Sequence, residues 1–208
     1  MMFIFSIILL LIALAMWRNA SAHKHENPMS SNVARISPLA VVVFGFFALL
    51  QCFTQIPAGH VGVIDFFGIV SDRTLPSGIN MVNPLARIIK YSTQTKEHKE
   101  TMQVLSTEGL TIGLEVSALY RLNPDSAARV YQTIAGGDYE NIILIPQFRS
   151  VCRAVTASFQ ASALYSSQRE KLGATIQEEV GKAIAPRGVW IEGTPIRNVA
   201  LPTQLTEA

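Results

Sequence analysis

The chain has 208 residues, with 17 basic and 15 acidic side chains and two cysteines, which suits a membrane-anchoring region followed by one domain of ordinary size. Residues 1–54 hold Arg18, Lys24 and Arg35 against Glu26, while the remainder is neutral, with 14 charges of each sign; a neutral domain has no electrostatic footprint for nucleic acid, and that class is excluded. Cys52 and Cys152 are spaced for neither a metal site nor a disulfide framework, and read as small buried hydrophobes.

Two apolar segments open the chain. The first, residues 1–17, is "MMFIFSIILLLIALAMW", and the second is centred on "PLAVVVFGFFALLQCF" from Pro38 to Phe53. A spanning helix needs about 20 mostly apolar residues, with ~17 tolerated, so both segments are expected to span, the second over residues 37–55. Residues 18–36 between them form a basic connector. The first segment has two alternative readings. It is a signal-like peptide ending at "ASA", Ala20 to Ala22, although no Lys or Arg precedes it, or an upstream extension of a chain that starts at Met29. The charges Arg18, Lys24 and Arg35 hold the connector in the cytoplasm and place everything after the second segment on the other side. Arg73, Arg87 and Lys90 pull weakly the opposite way.

From Ile56 the pattern changes to sheet. "HVGVIDFFGIV" is rich in Val, Ile and Phe and is punctuated by Gly62 and Gly68, which predicts a hairpin with tight turns or bulges. "LPSGINMVNPL" predicts turns around a short extended piece. "ARIIKYSTQTKEHKE" is read as one strand, and "TIGLEVSALYRL" as another. In the second, Ile112, Leu114, Val116 and Ala118 alternate with Gly113, Glu115 and Ser117. Gly109 in "STEGLT" is the expected positive-φ residue of the turn before it.

Helices follow. Asn123 before Pro124 starts a short one, which ends near Gly136 and Gly137; Asp138 caps the next. Ile145, Phe148, Cys152, Val155 and Phe159 then fall on one helical face, with Pro146 near its start. Ser167 and Glu170 form a capping-box pattern for a helix that aligns Leu172, Ile176, Val180 and Ile184, with Gly188 as its cap. "VWIEGTPIRNVALP" returns to a single late strand. The fold class is therefore α+β, with an antiparallel, sheet-rich first part and a mixed helix and strand second part.

No nucleophile elbow, metalloprotease helix, phosphate loop or dinucleotide fingerprint is present in the sequence. His23 and His25 are two donors on a connector, short of a usual metal set. His60 and His98 have no serine or cysteine partner nearby in sequence. No catalytic residue, cofactor or metal is expected. A membrane-tethered hydrolase with a spatially assembled Ser–His or Ser–Lys pair stays open as the enzymatic alternative, and a lipid-binding module that never oligomerises as the other.

The ordered series "IPAGHVGVIDFFGIV", "LPSGINMVNPLARIIKYSTQT", "VLSTEGLTIGLEVSALYRL", "GGDYENIILIPQFRSVCRAVTAS", "SSQREKL" and "RGVWIEGTPIRNVALP" resembles the SPFH, or band-7, superfamily, closest to prohibitins. The resemblance covers residues 56–202. It implies an SPFH domain behind an N-terminal membrane segment, with assembly into rings or cages that enclose a membrane patch and association with membrane-bound AAA proteases. It implies a scaffold without a catalytic site, whose partners are the lipid bilayer and further copies or relatives of itself. The expected place is the bacterial inner membrane, with the domain on the extracytoplasmic side. The family continues after "LP" into a coiled-coil helix, so residues 203–208 are expected to be its stub. A hairpin that begins directly after the anchor is expected to meet lipid, and Phe66, Phe67, Ile69 and Val70 are the contact candidates; strand alternation assigns two of the four to the sheet core instead.

Overall fold

The computed structural model describes the backbone of residues 2–22, 28–164 and 168–200; the side chains at 2, 20–22, 28–37, 163 and 164 lie outside the description. Helix α1 runs over Met2–Ala22 and helix α2 over Pro28–Leu50. They pack against each other and run antiparallel. Gln51 Nε2 donates to Ser6 Oγ across 2.7 Å, and a Cβ on Gly45 would sit 3.7 Å from Leu10 Cδ1. Early α1 thus meets late α2. The expected connector over 18–36 is largely helical, because both helices extend into it. Among the described residues no helix is long and apolar enough to cross a membrane.

The second helix stops at Leu50, short of the expected 55, and strand β1 occupies Phe53–Ile56. Thr54 is β-branched and Phe53 aromatic, both suited to a strand, and a partner is at hand. That partner is β4, Gly78–Met81, which pairs antiparallel with Phe53 opposite Met81 and Ile56 opposite Gly78. Between them lie β2, His60–Phe66, and β3, Ile69–Leu75, the expected hairpin. The pairs are nested: β1 and β4 continue the β2–β3 hairpin beyond a corner at residues 57–59 and 76–77. Gly62 allows the corner to close, since a Cβ there would lie 2.8 Å from Ile56 Cδ1.

The expected single strand after Pro84 is two. Strand β5, Arg87–Ser92, pairs with β2, whereas β6, Lys96–Leu105, pairs with β7, Thr111–Leu122. The break at 93–95 moves the chain from one sheet to the next, which a continuous β pattern does not reveal. The late strand also divides, at Thr194 and Pro195, into β8, Val189–Gly193, and β9, Ile196–Ala200. Both pair with β7, on the edge away from β6. Pro195 has no N–H for a ladder, so the strand is interrupted there.

Strand β7 is the centre of the second sheet. Ile112, Leu114, Val116 and Ala118 are fully buried, as the alternation requires; Ser117 is buried too and donates to Glu97 Oε1 across 2.8 Å. Gly109 takes φ +77° in the preceding turn. Asn123 Oδ1 accepts from Asp125 N at 3.1 Å, opening a 3₁₀ turn that leads into α3, Ala127–Thr133. Asp138 Oδ1 accepts from Asn141 N at 3.2 Å and caps a π-helical turn, Glu140–Leu144, which precedes α4, Ile145–Thr156. Pro146 is the second residue of α4, directly behind the π-helical turn. A short α5, Ala161–Leu164, leads to α6, Arg169–Ile184. Ser167 of the capping-box reading lies outside the described residues, and Gln168 at the N-cap makes no side-chain cap bond.

Phe148 and Cys152 of α4 and Leu172, Ile176, Val180 and Ile184 of α6 are fully buried with β7 in one core. Helix α6 is capped at Ala185, and Gly188, at φ +83°, closes the 3₁₀ turn Ala185–Arg187 that follows it, one turn later than expected. Helix α3 instead covers the first sheet: Tyr131 donates its hydroxyl to Asp65 Oδ2 across 2.9 Å.

Candidate membrane-contact surface

His60 Nδ1 lies 3.1 Å from the Ala58 carbonyl, and His98 Nε2 lies 3.0 Å from Glu100 Oε2. Arg149 Nε approaches the same Glu100 carboxylate at 3.0 Å, so His98 belongs to an ion cluster that ties β6 to α4. Burial opposes the charge of Glu100, but hydrogen bonds from Arg149 and His98 outweigh it and hold its carboxyl below the usual range. Burial pushes the Cys152 thiol up to about 12, which leaves it an inert core side chain as expected. Among the described residues, no group of three or more His, Cys, Asp or Glu side chains is placed to hold a metal ion. A groove of about 600 Å³ on the outer face of α4 is lined by Pro146, Arg149, Ser150, Arg153 and Ala154, a set without imidazole, thiol or carboxylate.

Apolar surface is what the amino-terminal half presents instead. On the helical pair, Leu39, Val42, Phe46 and Leu49 of α2 and Phe5, Ile8 and Leu11 of α1 are exposed. Free monomers seldom expose a contiguous apolar face of this kind, and such a face marks a lipid or protein contact. The nested hairpin exposes apolar side chains as well. At the hairpin tip Phe67 is 79% exposed, Ile69 74% and Phe66 37%. Phe67 and Gly68 are the two central turn residues, at φ 52° and 89°, and the two phenyl rings meet edge to face at 4.9 Å. Val70 differs from these three. It is half-buried and packs on the core, and its carbonyl accepts from Gln132 of α3 at 3.4 Å. Alternation alone had assigned two of the four inward; the structure turns in only Val70, because Phe67 sits in the turn itself, beyond the pleat.

Residue reasoning did not single out the opposite end of the hairpin. There Phe53 is 53% exposed and Ile79 and Met81 are each 78% exposed. The register puts Phe53 directly across from Met81, and Ile79 two residues along on the same face. The signal was present in the alternation of "GINM", but it is too short to stand out.

These features define a class: a small α+β domain joined to a hydrophobic helical pair through a strand that begins three residues after the second helix. A family model for the SPFH domain / Band 7 family matches residues 54–208, and the chain belongs to that family. Two curated relatives are Prohibitin-1 and Prohibitin-2 of Schizosaccharomyces pombe (strain 972 / ATCC 24843). The chain is 24% identical to the first over 183 residues, covering 86% of the chain and 64% of the relative. It is 23% identical to the second over 172 residues, covering 82% and 59%. The chain therefore spans about three-fifths of the length of these relatives.

Proposed function

We propose that this protein is a prohibitin-like membrane scaffold. Its apolar helices anchor it in a bilayer, its SPFH domain rests against the lipid surface, and neighbouring copies associate into ring or cage assemblies that organise a membrane patch. The observation that supports this most is the placement of the family domain: it starts at residue 54, immediately behind an apolar helical pair whose outer faces are uncovered. In the same reading α1 and α2, neither of them long and apolar enough to cross by itself among the described residues, enter the bilayer as a packed pair, and the connector charges Arg18, Lys24 and Arg35 keep the short link between them in the cytoplasm. The domain then faces the extracytoplasmic side, where a membrane AAA protease is the expected larger partner. Phe66, Phe67 and Ile69 meet lipid at the hairpin tip. The reading involves no catalysis.

The test is the mass of the natural full-length product, purified from membranes in mild detergent. Sedimentation as an assembly many times the chain mass supports the scaffold. A monomer across the accessible concentration range overturns it.

A further inference from the structure

We infer that β6 is a docking edge for the same strand of a second copy. The two strands pair antiparallel about a twofold axis at His98, so that Glu97 of each chain lies opposite Lys99 of the other. The inference rests on the self-association proposed above and specifies one of its contacts. A twofold contact closes after two chains, so rings or cages built from such pairs use a second face as well.

The first observation is an open edge. Strand β6, Lys96–Leu105, lies at the border of its sheet, with β7 on one side only. Among the described residues, no backbone hydrogen bond runs from β6 to any element but β7. The opposite border of the sheet is broken at Thr194 and Pro195, whereas β6 is continuous over its whole length. A long border of unpaired N–H and C=O groups is a ready template for another strand.

The second observation is which groups point outward. Ser117 N donates to Pro195 O across 3.0 Å, so the backbone of Ser117 turns away from β6. Lys99 stands opposite Ser117 in a register without a bulge. Alternation then directs the backbone groups of Lys96, His98 and Glu100 to β7, and those of Glu97, Lys99, Thr101 and Gln103 to the free side. Glu97 and Lys99 are thus the outward residues on either side of His98.

The third is charge. Lysines on an edge ordinarily keep a second strand away. In "KEHKE", residues 96–100, each lysine has a glutamate at its mirror position about His98: Lys96 answers Glu100, and Lys99 answers Glu97. Outward groups bond only outward groups, so a twofold pair must be centred on a residue. Centring on Lys99 or Glu100 sets like charges directly opposite, which opposes pairing. Centring on Thr101 sets Glu97 against Leu105 and Lys99 against Gln103. Only centring on His98 sets unlike charges opposite throughout the five residues. Lys96 and Glu100 are held by Glu140 and Arg149 of their own chain, so the exchange between copies falls on Glu97 and Lys99. Within one chain these two approach only to 3.8 Å, on the sheet face without helices. In the His98 register each Glu97–Lys99 pair also exchanges both of its backbone bonds. Backbone alternation and side-chain charge therefore select the same register independently, and a pattern that mirrors itself selects a second copy over an unrelated strand.

The experiment uses the full chain in membranes, with Cys52→Ser as background. Two differently tagged copies are produced together, one with Glu97→Cys and one with Lys99→Cys, which leaves the second Glu97–Lys99 contact of the pair intact. Hydrogen-bonded partners hold their Cα atoms about 5.5 Å apart, within the span of a disulfide, whereas 97 against 97 and 99 against 99 are offset by a further ~7 Å along the strand. After mild oxidation the expected disulfide joins 97 to 99, in a yield roughly fivefold above that of either like combination. A second reporter, Thr95→Cys with Thr101→Cys, is opposed in the same register and leaves every charge in place. Lys99→Glu in both copies should abolish its disulfide, and adding Glu97→Lys should restore at least half of it. Equal yields in the three combinations of 97 and 99, or no rescue by the double exchange, overturn the inference. Sedimentation of the same samples in mild detergent separates it from the scaffold reading. Large assemblies without the 97–99 disulfide overturn the inference and leave the scaffold. Disulfide-linked pairs with nothing larger uphold the inference and overturn the scaffold. Monomers without the disulfide overturn both.

Discussion

Glu140 carries its charge where burial opposes it. Hydrogen bonds from Lys96, at 2.5 Å, and from Tyr120 outweigh the burial and hold its carboxyl below the ordinary range. Burial, followed by the approach of Glu140, pushes the Tyr120 and Tyr139 hydroxyls up, so both stay protonated and able to donate. Lys96 opens β6 and Glu140 opens the π-helical turn, so the pair fastens the helical layer to the sheet close to the 93–95 switch between sheets. The carboxyl is depressed in the folded state, so its contribution is fully present above the unfolded value of about 4.3 and is lost as pH falls through the folded one. We expect Glu140→Gln to cost about 1–2 kcal/mol at pH 7. In urea unfolding the gap between variant and wild type should close below roughly pH 4; a gap that persists unchanged at pH 3 rules out the charge as its source. Gly137 sets a second residue-scale limit. At φ +70°, a Cβ there would lie 1.7 Å from the Tyr91 hydroxyl oxygen. Gly137→Ala should therefore destabilise by more than the ~1 kcal/mol of an ordinary glycine substitution, read as a lowered unfolding midpoint.

At the scale of elements, α6 and the β2–β3 turn make opposite cases. Helix α6 follows its pattern: Leu172, Ile176, Val180 and Ile184 form one stripe and all are fully buried. Removing a side chain from that stripe leaves a cavity that close-packed neighbours cannot fill. Ile176→Ala should cost about 2–5 kcal/mol, and Phe148→Ala on α4 about 3–5 kcal/mol. A loss below 1 kcal/mol by chemical unfolding at either position contradicts the described core. The turn breaks its pattern. A two-residue hairpin with both central φ angles positive favours Asn or Asp before Gly, yet Phe67 holds the first place. Among the described residues it is the one non-glycine with positive φ. Phe67→Asn is expected to stabilise the hairpin by about 0.5–1 kcal/mol, because Asn tolerates the left-handed region and little contact is lost from so exposed a ring. A fall in the urea midpoint of that variant would mean that the ring supports the hairpin, against its exposure.

For the whole molecule, the antiparallel packing of α1 and α2 has a topological consequence. Ser6 near the start of α1 touches Gln51, one residue past α2, so the start of α1 and the beginning of the SPFH domain lie at the same end of the helical pair. If the pair crosses a bilayer, both must emerge on one side. Reporters active only outside the cytoplasm, fused before Met2 in one protein and after Pro202 in another, should both be active, and a reporter inserted in the link between the helices should be silent. One active and one silent terminal fusion contradicts a paired crossing. Both silent, with an active link, inverts the orientation that Arg18, Lys24 and Arg35 suggest.

Local pattern determined much of this protein. The stripe on α6, the alternation of β7, the turn at Gly109, the caps at Asn123 and Asp138 and the closure at Gly188 were legible because each depends on residues a few positions apart. The ordered segments also pointed to the SPFH family. What only the tertiary structure decided depends on partners remote in the chain. Phe53 to Gln55 leave the apolar segment for a strand because β4, some 25 residues later, is there to pair with. The stretch after Pro84 divides because β2 claims its first half and β7 its second. Val70 is covered because α3 returns over the first sheet. Phe53, Ile79 and Met81 come together in the same way. Separated in sequence, they become one apolar face only when antiparallel pairing brings the two ends of the hairpin together, since hydrogen-bonded register, unlike helical or strand periodicity, is a property of two segments and not of one.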